Sequence, residues 1–474
     1  MNELSSPTLG DCGMRIAECG KNPKSEIRNP KSSIPWNQYT DAVNACRCLT
    51  AEGSVVKVIG LVVEGLGPGM GVGSVCNIQS ADGEEILAEV VGFKDRRIVL
   101  MLYGEMRGIS PGCKITLVNE RSRVPVGDAF LGRVVNGLGQ PIDGRGPIPS
   151  KAHYPLYGEV VNPMNRRPIR EVADLGIGAV NTLITVGKGQ RMAIMSGSGV
   201  GKSVLMGMMA RHTTADVSVV ALIGERGREV KDFIEKDLGE EGLKKSVVVA
   251  ATSDVSPLIR MRGTYLATTL AEYFRDRDLD VILVMDSITR FAMSCRDVGL
   301  AVGEPPTLRG YTPSFFVQLP KLLERAGSIE GKGSITGIYT VLVEGDDMND
   351  PVGDAVRATV DGHIVLSRRL ANRAHYPAID VLASVSRVMR EVVDPEHLKL
   401  CEKLRDVIAT YQDAEDLIAI GAYVDGSDPK IDYAKGMIDR INAFLRQDIT
   451  EKVSLEVGLD NLKGLFQGDN HEKV

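Results

Sequence analysis

The feature that most constrains the fold is a glycine-rich stretch at residues 196–203, Ser-Gly-Ser-Gly-Val-Gly-Lys-Ser, which lies between two apolar runs. The run before it, Met192 to Met195, predicts a buried strand, and the run after it, Val204 to Ala210, is compatible with a helix. In a strand–glycine loop–helix arrangement, the backbone N–H groups of the loop and of the helix N-terminus point toward phosphate oxygens. The stretch therefore predicts a phosphate-binding loop.

The loop matches the pattern G-x-x-x-x-G-K-[ST] except at its first position, where Ser196 stands in place of glycine. That position requires a small residue for a tight turn, so we expect serine to be tolerated. Lys202 is predicted to reach the β- and γ-phosphates of ATP, and Ser203 to hold Mg²⁺. The predicted nucleotide-binding residues of the loop are Gly197, Ser198, Gly199, Val200, Gly201, Lys202, Ser203 and Val204.

Two further apolar runs end in carboxylates. Residues 217–223 are continuously apolar apart from one serine and lead into Gly224 and Glu225, and Val281 to Met285 lead into Asp286. Such runs predict strands buried on both faces of a parallel sheet, whose carboxyl ends meet at one edge. We expect Asp286 to hold Mg²⁺ through water. Taken alone, Asp286 also fits a helix-capping role, but three functional strand ends in order favour a catalytic site.

Composition narrows the class of protein. The net charge is −6, no segment has about 18 uninterrupted apolar residues, and no signal-peptide core is present near the start. We therefore expect a cytoplasmic protein without a transmembrane segment and without a nucleic-acid partner. The eight cysteines form no C-x-x-C pair, and the closest approach to a metal motif is Cys46-Arg47-Cys48, so neither disulfides nor zinc are predicted.

The chain divides into four predicted parts. Residues 1–38 have few apolar residues and are predicted to be disordered. Residues 39–125 contain short β-branched runs at 54–63, 86–93, 97–103 and 114–118, which predict the strands of a small barrel or sandwich. Residues 126–385 form an α/β core, and 386–474 show the spacing of helices that pack on one another.

Several ordered motifs resemble the rotary ATPase family that contains the ATP synthase α and β subunits. Within it, the chain is most similar to the flagellum-specific ATPases of the type III protein export apparatus, because its C-terminal motif lacks the acidic segment of the ATP synthase β subunit. The motifs are residues 132–139, 187–191, 224–230, 285–290, 303–306, 344–349, 376–380 and 416–423.

The resemblance implies a fold and a set of roles. The fold is a RecA-like P-loop core with a small N-terminal β-barrel and a C-terminal helical domain. Glu225 would polarise the attacking water, Arg290 would reach toward the phosphates, and Tyr376 would stack on adenine. Arg387 would be an arginine finger contributed to a neighbour's site. From the residues alone, Tyr376 also fits a turn-packing role and Arg387 a surface ion pair.

The resemblance also implies partners. It predicts a homohexamer with nucleotide at the subunit interfaces, which binds stator-like regulator and stalk proteins and export chaperone–substrate complexes. Such a ring would lie in the cytoplasm, peripheral to the export apparatus of the inner membrane, and would energise export of unfolded flagellar proteins.

Four alternatives remain. An injectisome export ATPase shares every catalytic motif, whereas an ATP synthase or vacuolar-type subunit is disfavoured by the C-terminal motif. A Rho-type RNA translocase needs aromatic platforms in its barrel, but residues 51–125 contain only Phe93 and Tyr103 as aromatics. A nucleotide-binding scaffold without activity is disfavoured because Glu225 is retained.

Overall fold

A computed structural model describes residues 52–67, 69–343 and 350–467, and its first six strands close into an antiparallel barrel. The strand order is β1-β2-β5-β4-β3-β6. The sequence predicted one strand over residues 54–63, which a turn at Gly60 divides into two, and it missed β3. The strands are β1 Glu52–Ile59, β2 Val62–Leu66, β3 Val75–Gln79, β4 Glu85–Lys94, β5 Arg97–Leu102 and β6 Lys114–Asn119.

The α/β core is built on a mainly parallel sheet in the order β17-β16-β10-β15-β13-β11-β12-β8. The edge strand β17 is antiparallel to β16, the short β14 pairs antiparallel with β15, and β7 pairs with β9 outside the sheet. The strands are β7 Arg123–Val126, β8 Val134–Asn136, β9 Ala152–Pro155, β10 Arg191–Ser196, β11 Val217–Ile223, β12 Ser246–Ala251, β13 Asp280–Asp286, β14 Gly327–Ser328, β15 Ser334–Leu342, β16 Gly362–Leu366 and β17 Ile379–Ser386.

Helices follow most of the core strands and make up the C-terminal part. A π-helical segment, Phe233–Leu238, joins α3 to α4. The helices are α1 Gly178–Leu183, α2 Lys202–His212, α3 Gly227–Asp232, α4 Gly239–Lys244, α5 Pro257–Arg275, α6 Ile288–Val302, α7 Pro313–Leu323, α8 Pro351–Thr359, α9 Arg368–Asn372, α10 Met389–Val392, α11 Pro395–Ala419, α12 Pro429–Leu445 and α13 Leu455–Phe466.

The continuous apolar character of the central strands has a structural cause. Alternate residues of β11 belong to two separate cores: Val219 and Ala221 pack with α5, while Val220 and Leu222 pack in the core that contains α2. The strand is therefore buried on both faces, as the sequence predicted. Burial on both faces holds the strand in the centre of the sheet and so fixes the edge at which its carboxyl end lies.

The C-terminal helices are held to the core through the short helix α1. The carbonyl of Thr182 accepts hydrogen bonds from His397 Nε2 at 2.6 Å and from Cys401 Sγ, and Arg405 donates to the carbonyl of Leu183. Helix α1 is itself buried throughout. None of the described helices is both long and apolar enough to cross a bilayer.

Three segments with predictions lie outside the residues that the structure describes. Residues 1–38, the Cys46-Arg47-Cys48 segment and the motif at 344–349 lie outside the described residues. Within the described part, the proposed limits of the core, 126 and 385, fall inside β7 and β17.

A buried ionic cluster joins the barrel to the core. Glu89 on β4 accepts hydrogen bonds from the hydroxyls of Tyr103 and Tyr157 and from Nη1 of Arg262 on α5, each at 2.6 Å. The side chains of Arg262 and Glu89 are only 6% and 3% exposed. Because a buried charge must be paired, this cluster fixes the barrel against α5.

We expect Arg262→Met to lower the free energy of unfolding by about 3–5 kcal/mol, because it leaves Glu89 buried without its cation. Arg107→Met, which breaks a pair with Glu105 whose two side chains are 90% and 74% exposed, should cost less than about 1 kcal/mol. Urea unfolding of both variants tests this expectation. Equal losses would contradict the role of the buried cluster.

Candidate active site

Three strand ends meet at one edge of the sheet. Lys202, at the start of α2, donates from Nζ to Oδ1 of Asp286 at the end of β13, over 2.5 Å. Thr340 on β15 donates to the same oxygen at 2.7 Å. Asp286 is 2% exposed. The predicted phosphate-binding lysine and the predicted metal carboxylate are thus in direct contact.

The glycine loop has the geometry of a phosphate cradle. Gly199 and Gly201 have positive φ angles of 76° and 89°, which glycine adopts without strain. No side chain caps the N-terminus of α2, so its first N–H groups remain available as donors. Ser203 lies exposed on the first turn of that helix. A phosphate group therefore fits this loop.

Mg²⁺ also fits the residues present. Ser203 supplies a hydroxyl and Asp286 a carboxylate, the oxygen donors that Mg²⁺ takes together with substrate phosphates and water. No cluster of three or more histidine, cysteine, aspartate or glutamate side chains with metal-binding geometry occurs among the described residues. A metal here would thus depend on oxygens from the substrate.

Ser196, the departure from the loop pattern, ends β10 and is 2% exposed. Its hydroxyl finds no hydrogen-bond partner in the described part of the chain. It lies beside a cavity of about 250 Å³ that Ser367 and Asp380 also line. The small side chain is accommodated in the strand end, as the sequence predicted.

Glu225 lies two residues beyond β11 and close to the Lys202–Asp286 pair. Its carbonyl accepts a hydrogen bond from the backbone N–H of Ser253 at 3.0 Å, which fixes the backbone. Burial, and then the negative charge of Asp286, raise the pKa of Glu225 from 4.5 to about 7, although Lys202 opposes the shift. A carboxyl that titrates near neutral pH suits proton transfer or water polarisation.

Arg290 lies on the first turn of α6, beside Gly224. Its side chain packs against Gly224, where a Cβ would come within 2.9 Å of the Cβ and Cγ of Arg290. The φ of Gly224 is 71°, so glycine is required there both sterically and conformationally. The Nε of Arg290 is buried without a hydrogen-bond partner among the described residues. Arg290 thus lies at the sheet edge where the strands end, and its Nε is an unused hydrogen-bond donor.

Tyr376 lies against the other side of the glycine loop. A Cβ at Gly201 would be 3.5 Å from two atoms of the Tyr376 ring, so the ring stands beside the loop. Tyr376 is 46% exposed, which leaves part of its surface open for stacking. Stacking of this ring on adenine stays a prediction.

Arg387 is not brought to this site. It follows β17, whereas Tyr376 precedes that strand, and the eight residues of β17 span about 26 Å. Arg387 is exposed at the opposite edge of the sheet, where its backbone N–H donates to Asp361 and its Nη2 to the carbonyl of Arg357 at 3.4 Å. It cannot reach the glycine loop of its own chain.

Sequence reasoning missed Thr340, which fixes Asp286 by a hydrogen bond. Thr340 is one of several hydroxyl-bearing residues in β15, a strand that is buried along nearly its whole length. A hydroxyl in such a buried run was the signal that could have found it, because buried hydroxyls require a partner.

The fold and the site define a P-loop ATPase with a barrel before its core and a helical part after it. Residues 176–386 match the nucleotide-binding domain of the ATP synthase alpha/beta family, and residues 55–118 match the β-barrel domain of that family. Residues 393–464 match the C-terminal domain of the type III secretion ATPase EscN.

Relatives that match over most of the chain support the same family assignment. The chain is 48% identical to the flagellum-specific ATP synthase of Pseudomonas aeruginosa, over 91% of this chain and 96% of the relative. It is 48% identical to the type 3 secretion system ATPase of Xanthomonas euvesicatoria, over 86% and 93%. The structure of assembled EscN with its central stalk EscO, from enteropathogenic E. coli, matches with a TM-score of 0.81 and 42% identity, over 87% of this chain and 99% of EscN. The chain belongs to the ATP synthase α/β family, in the branch of flagellum-specific and type III secretion ATPases.

The raised pKa of Glu225 predicts how the free protein responds to pH. Between about pH 4.5 and about 7 the folded protein keeps a proton that the unfolded chain has lost, so this group lowers stability as the pH rises through that window. Asp286→Asn should move the pKa of Glu225 back toward its ordinary value, because it removes a neighbouring negative charge. Titration of ¹³C-labelled glutamates, with Glu225→Gln to assign the signal, measures this shift. An unchanged pKa in Asp286→Asn would contradict the coupling.

Proposed function

We propose that this chain hydrolyses ATP to energise export of unfolded flagellar proteins by a type III apparatus. The observation that carries the proposal is the meeting of Lys202, Glu225 and Asp286 at one edge of a RecA-like sheet, beside a glycine loop. The flagellum-specific relatives support the choice of export system.

The residues divide the work of phosphoryl transfer. The loop N–H groups and Lys202 bind the β- and γ-phosphates. Ser203 and Asp286 would hold Mg²⁺, which would neutralise developing charge. Glu225, as a carboxylate, accepts a hydrogen bond from the attacking water and orients it. Arg290 supplies positive charge at the phosphates. Tyr376 stacks on the adenine.

A second subunit completes the site. A loose phosphoryl-transfer transition state needs an additional cation, and Arg387 lies at the sheet edge away from its own loop. A head-to-tail ring, which closes by rotation, joins two different faces of neighbouring subunits, so it can bring the Arg387 edge of one subunit to the loop of the next. We therefore propose a homohexamer in which each Arg387 serves the next site.

The C-terminal helices offer a surface for a stalk partner. The end of α11 and the turn that leads to α12 expose Leu417, Ile420 and Val424, with Ile420 76% exposed. Exposed apolar residues grouped at a loop tip mark an interaction site. EscN binds a central stalk, and we propose the same kind of partner here, together with a stator-like regulator and chaperone–substrate complexes. The ring would lie in the cytoplasm, peripheral to the export apparatus.

The injectisome alternative keeps support from the Xanthomonas relative and from EscN. An injectisome ATPase would use the same residues in the same way, and the two differ only in the proteins exported. Co-purification of flagellar or injectisome substrates from the native cell separates them.

Replacing the proposed catalytic carboxylate separates chemistry from binding. Glu225→Gln should retain Mg·ATP binding and lose turnover by about 10²–10⁴-fold, because the amide cannot orient water as a carboxylate does. Lys202→Ala should weaken both binding and turnover. Glu235→Gln, a surface glutamate on the π-helical segment, is the control. Near-normal hydrolysis by Glu225→Gln would refute its role.

The ring is tested by complementation. Arg387→Ala should lose turnover by about 10³-fold or more with ATP binding retained. Mixing it with Glu225→Gln should restore activity, because about a quarter of sites in a random ring combine an intact Glu225 with an intact Arg387. Mixed rings are verified by mass. No recovery in verified mixed rings, with wild-type turnover independent of concentration down to the monomer, would exclude the trans mechanism.

A further inference from the structure

A single glutamine connects the C-terminal helices to the base side of the nucleotide site. Gln447 lies two residues beyond the end of α12 and is 9% exposed. Its backbone N–H donates to the carbonyl of Tyr376 at 3.1 Å. No sequence motif drew attention to Gln447.

The side-chain amide of Gln447 is fully used. Its Oε1 accepts from the N–H of Gly178 at 2.8 Å, and its Nε2 donates to the carbonyls of Gly176 and Glu451, both at 2.9 Å. The two ends of the amide cannot be exchanged, because the N–H of Gly178 requires an acceptor and the two carbonyls require a donor. The side chain is therefore held in one orientation.

The contact with Gly178 makes Gln447 a cap for helix α1. The residue that precedes α1, Ile177, offers no side-chain cap, so the Gln447 oxygen supplies the acceptor from a segment 269 residues away. A Cβ at Gly178 would lie 3.7 Å from that oxygen. Helix α1 is also where α11 is attached, so the amide sits at the joint between core and helices.

Other hydrogen bonds at this joint do not reach the nucleotide site. Asn181 donates to the carbonyl of Val453 at 3.0 Å, and the N–H of Leu455 donates to Asp174. These contacts hold the C-terminal segment to α1 without touching Tyr376. Gln447 differs because the same residue holds α1 by its side chain and Tyr376 by its backbone.

We propose that Gln447 is a positioning residue: its buried amide fixes the backbone that holds Tyr376 against the phosphate loop, and so sets the affinity for the base. This inference rests on the proposed role of Tyr376 in binding adenine. Because α12 ends two residues before Gln447, a displacement of the C-terminal helices would reach Tyr376 through this residue. A partner bound at the α11–α12 turn would thereby change the affinity for nucleotide.

The test compares a ligand that has a base with one that has none. Gln447→Met keeps the length of the side chain and removes its hydrogen bonds. It should raise the KM for ATP about fivefold with kcat unchanged, and leave the Ki of inorganic tripolyphosphate unchanged, because only ATP contacts Tyr376. Tyr376→Ala should raise the KM about tenfold, the loss expected for one base stack. The double variant should have the KM of Tyr376→Ala alone.

Asn181→Ala is the matched control, because it removes buried hydrogen bonds at the same joint. It should lower the melting temperature as Gln447→Met does, with the KM for ATP unchanged. If Gln447→Met does not fold, Gln447→Asn replaces it, since the shorter amide stays uncharged and polar but no longer reaches Gly178, Gly176 and Glu451 together.

The outcomes separate the two ideas. An unchanged KM in Tyr376→Ala would refute the proposed role of the ring, and with it the inference. A raised KM in Tyr376→Ala with an unchanged KM in Gln447→Met overturns the inference alone. So does a weaker binding of tripolyphosphate to Gln447→Met, or an equal rise in KM in Asn181→Ala.

Discussion

The buried pair of Lys202 and Asp286 is the interaction on which the site depends. An ammonium group removed from water must have a partner, and at this sheet edge the partner is a carboxylate that is 2% exposed and fixed by Thr340. In the proposed site, phosphate oxygens would compete with that carboxylate for the same ammonium. Phosphate bound at Lys202 would therefore free Asp286 to face a metal. The same carboxylate raises the pKa of Glu225, so one pair would link nucleotide binding to the protonation of the proposed catalytic carboxylate.

Much of this arrangement was predictable because its signals are local. The apolar run at 217–223 predicts a strand buried on both faces, and the glycines at 199 and 201 predict a loop with positive φ angles. Since the carboxyl ends of parallel strands meet at one edge, the meeting of Lys202, Glu225 and Asp286 followed from order along the chain. The approximate extents of the barrel and of the C-terminal helices followed from hydrophobic spacing in the same way.

The features that the sequence did not predict depend on contacts between segments that are distant along the chain. Nothing near Thr340 in the sequence indicates that its hydroxyl meets Asp286, and nothing near Gln447 indicates a bond to Gly178. Strand β3 escaped prediction because its five residues carry little periodic signal, although barrel closure requires it. Such pairings depend on how elements pack, which spacing along one element does not encode.

Strand β17 has Tyr376 before it and Arg387 after it, at opposite edges of the sheet. In the proposed ring each polypeptide thus supplies parts to two catalytic centres, and no centre is formed by a single polypeptide. A defective subunit disables its neighbour's site as well as impairing the ring it joins. In genetic terms, loss of Arg387 would be dominant: expressed beside the wild-type chain, a variant that folds and assembles would lower activity more than an allele that produces no protein.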